Sequence, residues 1–232
     1  MTGPRISVLC PTRNRPGNVE RLVTTAVTTA ARAVEFVFYC DNDASGSVSG
    51  QVRAHPWVTV IQGDRITLSD MWNVCWREAT ADVFMLCGDD IAFRTPAWDD
   101  IVLDAFAGIP DRVAFVHGRD GLRHDDFGTH GFLHRNWTDA VGYFTPRGFS
   151  CDWVDTWINE LANDIGRRVV VDIETEHCHP NAGKATWDQT HEERRQRDRR
   201  DNNQALYADR RYERLADAMR LRAEIEAAAC VS

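Results

Sequence analysis

ADVFMLCGDDIAF, residues 81–93, runs apolar from Val83 to Cys87, then sets two adjacent carboxylates, Asp89 and Asp90, ahead of a second apolar triplet. A short apolar run without polar alternation reads as a strand buried on both faces, as in a parallel sheet covered by helices. Ligands of such sheets bind at the carboxyl ends of the strands, so the acidic pair falls on a binding edge.

The segments before it repeat the pattern. RISVLCPT (5–12) is a β-branched, apolar run that stops at Pro11, and VEFVFYCDND (34–43) is a second that stops at Asp41. Between them Val19, Leu22, Val23, Ala26, Val27 and Ala30 recur at helical spacing, which completes a β-α-β unit. A short helix over 48–54, a strand WVTVIQ (57–62) and a helix LSDMWNVCWREAT (68–80) then lead into the quoted stretch. This alternation predicts one α/β domain, Rossmann-like, with a mostly parallel central sheet flanked by helices. It also places Pro11 to Arg15, Asp41 to Asp43 and Asp89 to Asp90 along one edge.

Beyond Asp90, AFVHG (114–118) reads as another strand and RDGLRHDDFGTHGFLHRNW (119–137) as a polar loop. DWVDTWINELANDIGRR (152–168) reads as a helix with Trp157, Ile158, Leu161 and Ile165 in one apolar stripe, and VVVDIETEHCHP (169–180) as a strand. Residues 1–188 carry the α/β pattern. Residues 189–232 are dense in Arg, Glu and Asp and predict one or two peripheral helices, with a solvated face and a possible role in self-association.

The chain of 232 residues, 43% hydrophobic, is long enough for one substantial core. Its net charge of −8 argues against nonspecific attraction to nucleic acid. No apolar run approaches the roughly 20 residues of a bilayer span, and the first residues lack a signal-peptide pattern, so the expected location is the cytoplasm. Seven scattered cysteines without a C-x-x-C predict buried free thiols. Only Lys184 among the 27 basic residues is a lysine, as a coding bias toward arginine would produce.

Adjacent carboxylates at a ligand edge suit a hard divalent cation held by one or two carboxylates and substrate phosphates. The same pair would serve equally as a turn that caps the next element. CPTRNRP (10–16) adds Thr12, two arginines and a helix start that favours anions, and CDNDAS (40–45) adds acids able to bind ribose hydroxyls or a base edge.

Taken in order, ISVLCPTRNRP, FVFYCDNDAS, LSDMWNVCWREATADVFMLCGDDI, DWVDTWI and EHCHP resemble the GT-A fold glycosyltransferases of the family 2 type, across residues 5–188. The resemblance implies a D-x-D motif that holds Mn²⁺ or Mg²⁺ on the pyrophosphate of a nucleotide-sugar. Gly88 stands where the motif begins, so the role passes to Asp89 and Asp90. It further implies that Pro11, Thr12, Arg13 and Asp41 or Asp43 meet the nucleotide, with Asp89 also facing the donor, that Asn73 borders the donor site, and that His177 or His179 is a further metal ligand. Asp155 corresponds to the catalytic base of the family's E-D motif, with Val154 in place of the Glu and Asp152 as the alternative acid. Lys184 and Trp187 would close over the diphosphate, while His130 or Trp137 would contact the acceptor.

The implied activity is metal-dependent, inverting transfer from a UDP-sugar to an acceptor hydroxyl. Small enzymes of this kind occur in bacteria and their phages, and the acceptor is a glycan, a protein, a small molecule or a hydroxymethylated pyrimidine in DNA. The rival readings are a nucleotidyltransferase, which usually carries a glycine-rich loop that CPTRNRP lacks, and a noncatalytic module that binds nucleotide-sugars.

Overall fold

The computed structural model describes residues 3–123 and 126–230. Its sheet begins with β1 (Ile6–Thr12), whose residues are nearly all buried, as a run apolar on both faces requires. Helix α1 (Pro16–Thr29) follows, with Pro16 in its first turn, where a missing N–H costs nothing. It buries Val19, Leu22, Val23 and Ala26, while Val27 stays exposed at the margin of the stripe. Next come β2 (Glu35–Asp41), a 3-10 turn, α2 (Gly50–Arg53), β3 (Val58–Gly63), α3 (Leu68–Glu78) and β4 (Val83–Leu86).

Strands β3, β2, β1 and β4 lie side by side and pair in parallel, with Thr12 opposite Cys40 and Leu9 opposite Leu86. Their carboxyl ends therefore share one edge. The second half of the sheet is mixed. After β5 (Ile91–Phe93) and α4 (Trp98–Ala107), β6 (Phe115–Arg119) and β7 (Gly131–His134) continue it, followed by α5 (Arg135–Val141), α6 (Val154–Asp164) and β8 (Arg168–His177). Pairs β4–β7, β6–β7 and β5–β8 are antiparallel and β6–β8 is parallel, giving an eight-stranded sheet in the order β3-β2-β1-β4-β7-β6-β8-β5.

Strand β7 and helix α5 occupy sequence that reads locally as a polar loop. The four residues of β7 are buried because the strand lies between β4 and β6, a tertiary contact that its own composition does not announce. Gly131 is required there: a Cβ would stand 2.4 Å from the Phe115 ring. His134 then caps α5 by accepting from the Asn136 N–H at 3.1 Å. Residues 124 and 125 of the same segment lie outside the described residues.

The C-terminal segment forms three helices, α7 (Gln189–Asp201), α8 (Asn203–Asp209) and α9 (Arg211–Ala229). Helix α9 packs on α5 and α6 and buries Ala218 and Leu221, whereas α7 crosses the ligand edge of the sheet. The cysteines are free thiols, buried apart from the exposed Cys230. Among the described residues no helix is long and apolar enough to cross a membrane.

Candidate active site

A cavity of about 340 Å³ opens at the carboxyl ends of β1, β2 and β4, with β8, the start of α6 and one face of α7 as its other walls. Pro11, Thr12, Arg13, Asp41, Asp89, Asp90, Asp152, Asp155, His177 and His179 all line it. Residues separated by up to 168 positions thus meet because parallel strands deliver their ends to one edge.

The two adjacent acids do different work. Asp89 is buried; its Oδ2 accepts from the Thr12 hydroxyl at 2.8 Å and its Oδ1 from the Arg15 guanidinium at 3.2 Å. Burial pushes its carboxyl up and Arg15 opposes that shift. With both oxygens engaged, Asp89 ties the β1 loop to the end of β4, and it belongs to no set of ligand atoms at metal spacing among the described residues. Asp90 belongs to two such sets, one with His130 and His177 and one with His179 and His191.

The imidazoles form a row, with ring centroids 4.9 Å apart for His130 and His177, 5.2 Å for His177 and His179, and 5.1 Å for His179 and His191. His177 Nε2 lies 3.3 Å from Asp90 Oδ2 and its Nδ1 lies 3.4 Å from Asp120 Oδ2. Burial alone would lower its pKa, but the bonds to Asp120 and Asp90 outweigh it and raise the ring to about 9. By the same contact Asp90, although buried, stays well below the usual carboxylate range. His130, without a bonded carboxylate, is pushed by burial down to about 4.

On the β2 side, Arg13 Nη1 donates to Asp41 Oδ2 and Nη2 to Asp43 Oδ2, both at 2.9 Å. Asp41 lines the cavity, and its Oδ1 is buried with no hydrogen-bond partner among the described residues, an acceptor that a ligand N–H would satisfy. Asp43 is exposed and reaches the cavity only through Arg13.

Two expected donor contacts lie elsewhere. Asn73 is 2% exposed, and its amide serves the 144–145 loop, accepting from the Phe144 N–H at 2.9 Å and donating to Thr145 O at 2.8 Å. Its spacing beside the site reflects a loop clamp. Lys184 pairs with Glu176 at 2.8 Å and does not line the cavity, and Trp187 stacks on His191.

Of the two candidate bases, Asp152 is bonded by the Arg194 side chain from α7. It provides no cap to α6, whose N-terminal residue Trp153 adopts a left-handed φ of 77°. No ion pair engages Asp155 among the described residues; its Oδ1 accepts from the Thr156 N–H at 2.8 Å. Burial raises its carboxyl to about 6, against the backbone bond that would lower it.

Helix α7 keeps the solvated face that its charge pattern predicts and lays its other face over the cavity. Asp188 caps it, and Arg15 bonds Asp188 at 2.7 Å and His191 at 2.8 Å. Glu193 accepts from Arg13 at 3.1 Å and from Arg65 at 2.6 Å. His191, Arg194 and Arg197 all line the cavity. The tail looks solvated because a helix with one face over a polar cavity has almost no apolar stripe.

No protein-family profile matches the chain, nor does any curated protein. Solved structures do. The fold is similar to that of residues 1–349 of S. aureus TarS, with a TM-score of 0.58 and 13% identity over 74% of this chain and 60% of that one. The same fragment has been solved in complex with UDP-GlcNAc. The chain spans about 60% of the length of that TarS fragment. It is also similar to the mannosyltransferase PcManGT from Pyrobaculum calidifontis in complex with GDP-Man and Mn²⁺, with a TM-score of 0.64 and 14% identity over 100% of this chain and 77% of that one. The fold of this chain is that of the GT-A glycosyltransferases.

Proposed function

We propose that the protein transfers a sugar, with inversion, from a nucleoside-diphosphate donor to an acceptor hydroxyl. The observation that carries this reading is the meeting, in one cavity, of side chains at Asp90 that could hold a cation and a carboxylate, Asp155, raised to about 6 and free of ion pairs among the described residues. A divalent cation fits the Asp90 set: it offers a carboxylate and His177 to one point, and a diphosphate would supply further oxygen ligands. When bound, the ion supplies charge stabilisation to the departing diphosphate.

The protein's own residues do the rest. Asp41 Oδ1 takes an N–H of the nucleobase, the imide of uracil in the reading we favour. Arg13 and Arg15, just ahead of α1, line the cavity and would meet the phosphates of a donor. Asp155 takes the proton of the acceptor hydroxyl as its oxygen bonds to the anomeric carbon, while the bond from that carbon to the phosphate oxygen breaks and its electrons leave with the diphosphate. Inversion follows from attack on the face opposite the leaving group. Self-association belongs to the same reading: Tyr212, Leu215 and Met219 are exposed at spacings of three and four along α9, an apolar face for a second copy.

Donor binding is tested by thermal unfolding with a panel of UDP- and GDP-sugars, each with and without Mn²⁺. The matching donor at about 100 times its Kd adds roughly 2.7 kcal/mol of stability, and only when the metal is present. Equal stabilisation with and without metal, or none from any nucleotide-sugar, contradicts the reading.

A further inference from the structure

We infer that Asp90, His130 and His177 form a two-histidine, one-carboxylate site that takes cations of the Mn²⁺ to Zn²⁺ series and discriminates against Mg²⁺, with Asp120 orienting His177. The inference rests on the reading of this cavity as a metal-dependent donor site and specifies what that metal is.

The acidic motif is depleted here in two ways. Gly88 stands at its first position, and a side chain there would place its Cβ 2.9 Å from Asp90 Oδ1 and 3.2 Å from His130 Cε1. The volume a first carboxylate would need is thus held by an imidazole. Asp89 is withdrawn by Thr12 and Arg15. Asp90 is the acid left to the cation.

Nitrogen replaces the missing oxygen. His130 is nine-tenths buried; the Gly88 N–H meets its Nδ1 at 3.4 Å, and its Nε2 is buried with no partner among the described residues. A buried polar atom without a partner is expensive unless something binds it. His177 presents Nε2 to Asp90 and Nδ1 to Asp120. Asp120 is itself fixed, because its Oδ1 accepts from the N–H groups of Leu122 at 2.8 Å and Arg123 at 2.9 Å, leaving Oδ2 for the ring. A carboxylate behind a histidine sets which ring nitrogen faces the metal and raises its basicity. The alternative set, with His179 and His191, is poorer: Arg15 holds a guanidinium nitrogen 2.8 Å from His191 Nδ1 and 3.2 Å from its Nε2.

Two imidazoles and one carboxylate with open positions suit first-row transition ions, which accept nitrogen readily. Mg²⁺ prefers oxygen ligands in strict octahedral geometry, and two of the three side chains of this set would offer it imidazole nitrogen.

Titration calorimetry of the full chain with MgCl₂, MnCl₂, CoCl₂ or ZnCl₂, without nucleotide, tests this. Mn²⁺, Co²⁺ and Zn²⁺ bind in order of rising affinity, and Mg²⁺ fails to displace Co²⁺ at concentrations where Mn²⁺ does. Asp120→Asn weakens Co²⁺ binding about 10–100-fold and shifts the visible Co²⁺ spectrum; His130→Ala weakens it at least as much, and His179→Ala less than His130→Ala. Mg²⁺ affinity equal to that of Mn²⁺ overturns the inference, as does a His130→Ala protein that melts like wild type and binds Co²⁺ as tightly. Sugar transfer that runs equally well on Mg²⁺ sinks the cation assignment and leaves the proposed transfer standing. The predicted metal ranking in a protein that turns over no nucleotide-sugar does the reverse.

Discussion

Asp155→Asn is expected to keep donor and metal binding and to lose transfer by about 10²-fold or more, the scale of general-base catalysis. The amide is nearly isosteric and still accepts the Thr156 N–H, so the start of α6 has no reason to move. What disappears is the proton acceptor. The pH profile follows from the same side chain. A base must be unprotonated to act, and burial raises this carboxyl to about 6, so kcat falls as pH drops through about 6 and is flat above it until another group titrates. Steady-state rates from pH 5 to 8 check this. A fully active Asp155→Asn beside an inactive Asp152→Asn would move the role to Asp152. The structure favours Asp155, since Asp152 is committed to Arg194.

Asp90→Ala is the second large effect. It removes the carboxylate shared by both candidate ligand sets, so metal affinity should fall by more than the roughly 100-fold upper range for loss of an outer-shell partner, and metal-dependent donor binding should vanish. The fold should stay cooperative, because His177 keeps Asp120 and the backbone bond from Cys178 N–H to Asp90 O needs no side chain. Calorimetry with Mn²⁺ and a urea unfolding curve separate the two outcomes. Wild-type metal affinity in that variant would refute the assignment.

The parallel half of the sheet was legible because β1, β2 and β4 are buried on both faces and so are mostly apolar, with polar residues chiefly at their ends. Their ends place Thr12, Asp41 and Asp90 together by topology alone. The mixed half was hidden. Strand β7 is only Gly-Phe-Leu-His, and what makes it a strand is β4 and β6 on either side. The division of labour in GDD was also invisible, since it depends on Arg15 and Thr12 reaching Asp89 across 74 and 77 residues. Asp120 and His191 carried no local signal: one is a strand-end acid and the other sits in a helix of charged residues. Asn73 shows the converse, a residue whose position in sequence suggests the site and whose hydrogen bonds belong to a buried loop.

The most direct test of donor chemistry at this cavity is release of nucleoside diphosphate from a nucleotide-sugar panel by the purified chain, with metal and with chelator, in the absence of any acceptor. Asp155 then has only water to activate, so the account predicts slow release of UDP from a UDP-sugar that stops with chelator and with Asp90→Ala. Tight, metal-dependent binding of a nucleotide-sugar that is never cleaved, with water or with any acceptor, would make the chain a binding module and contradict the account.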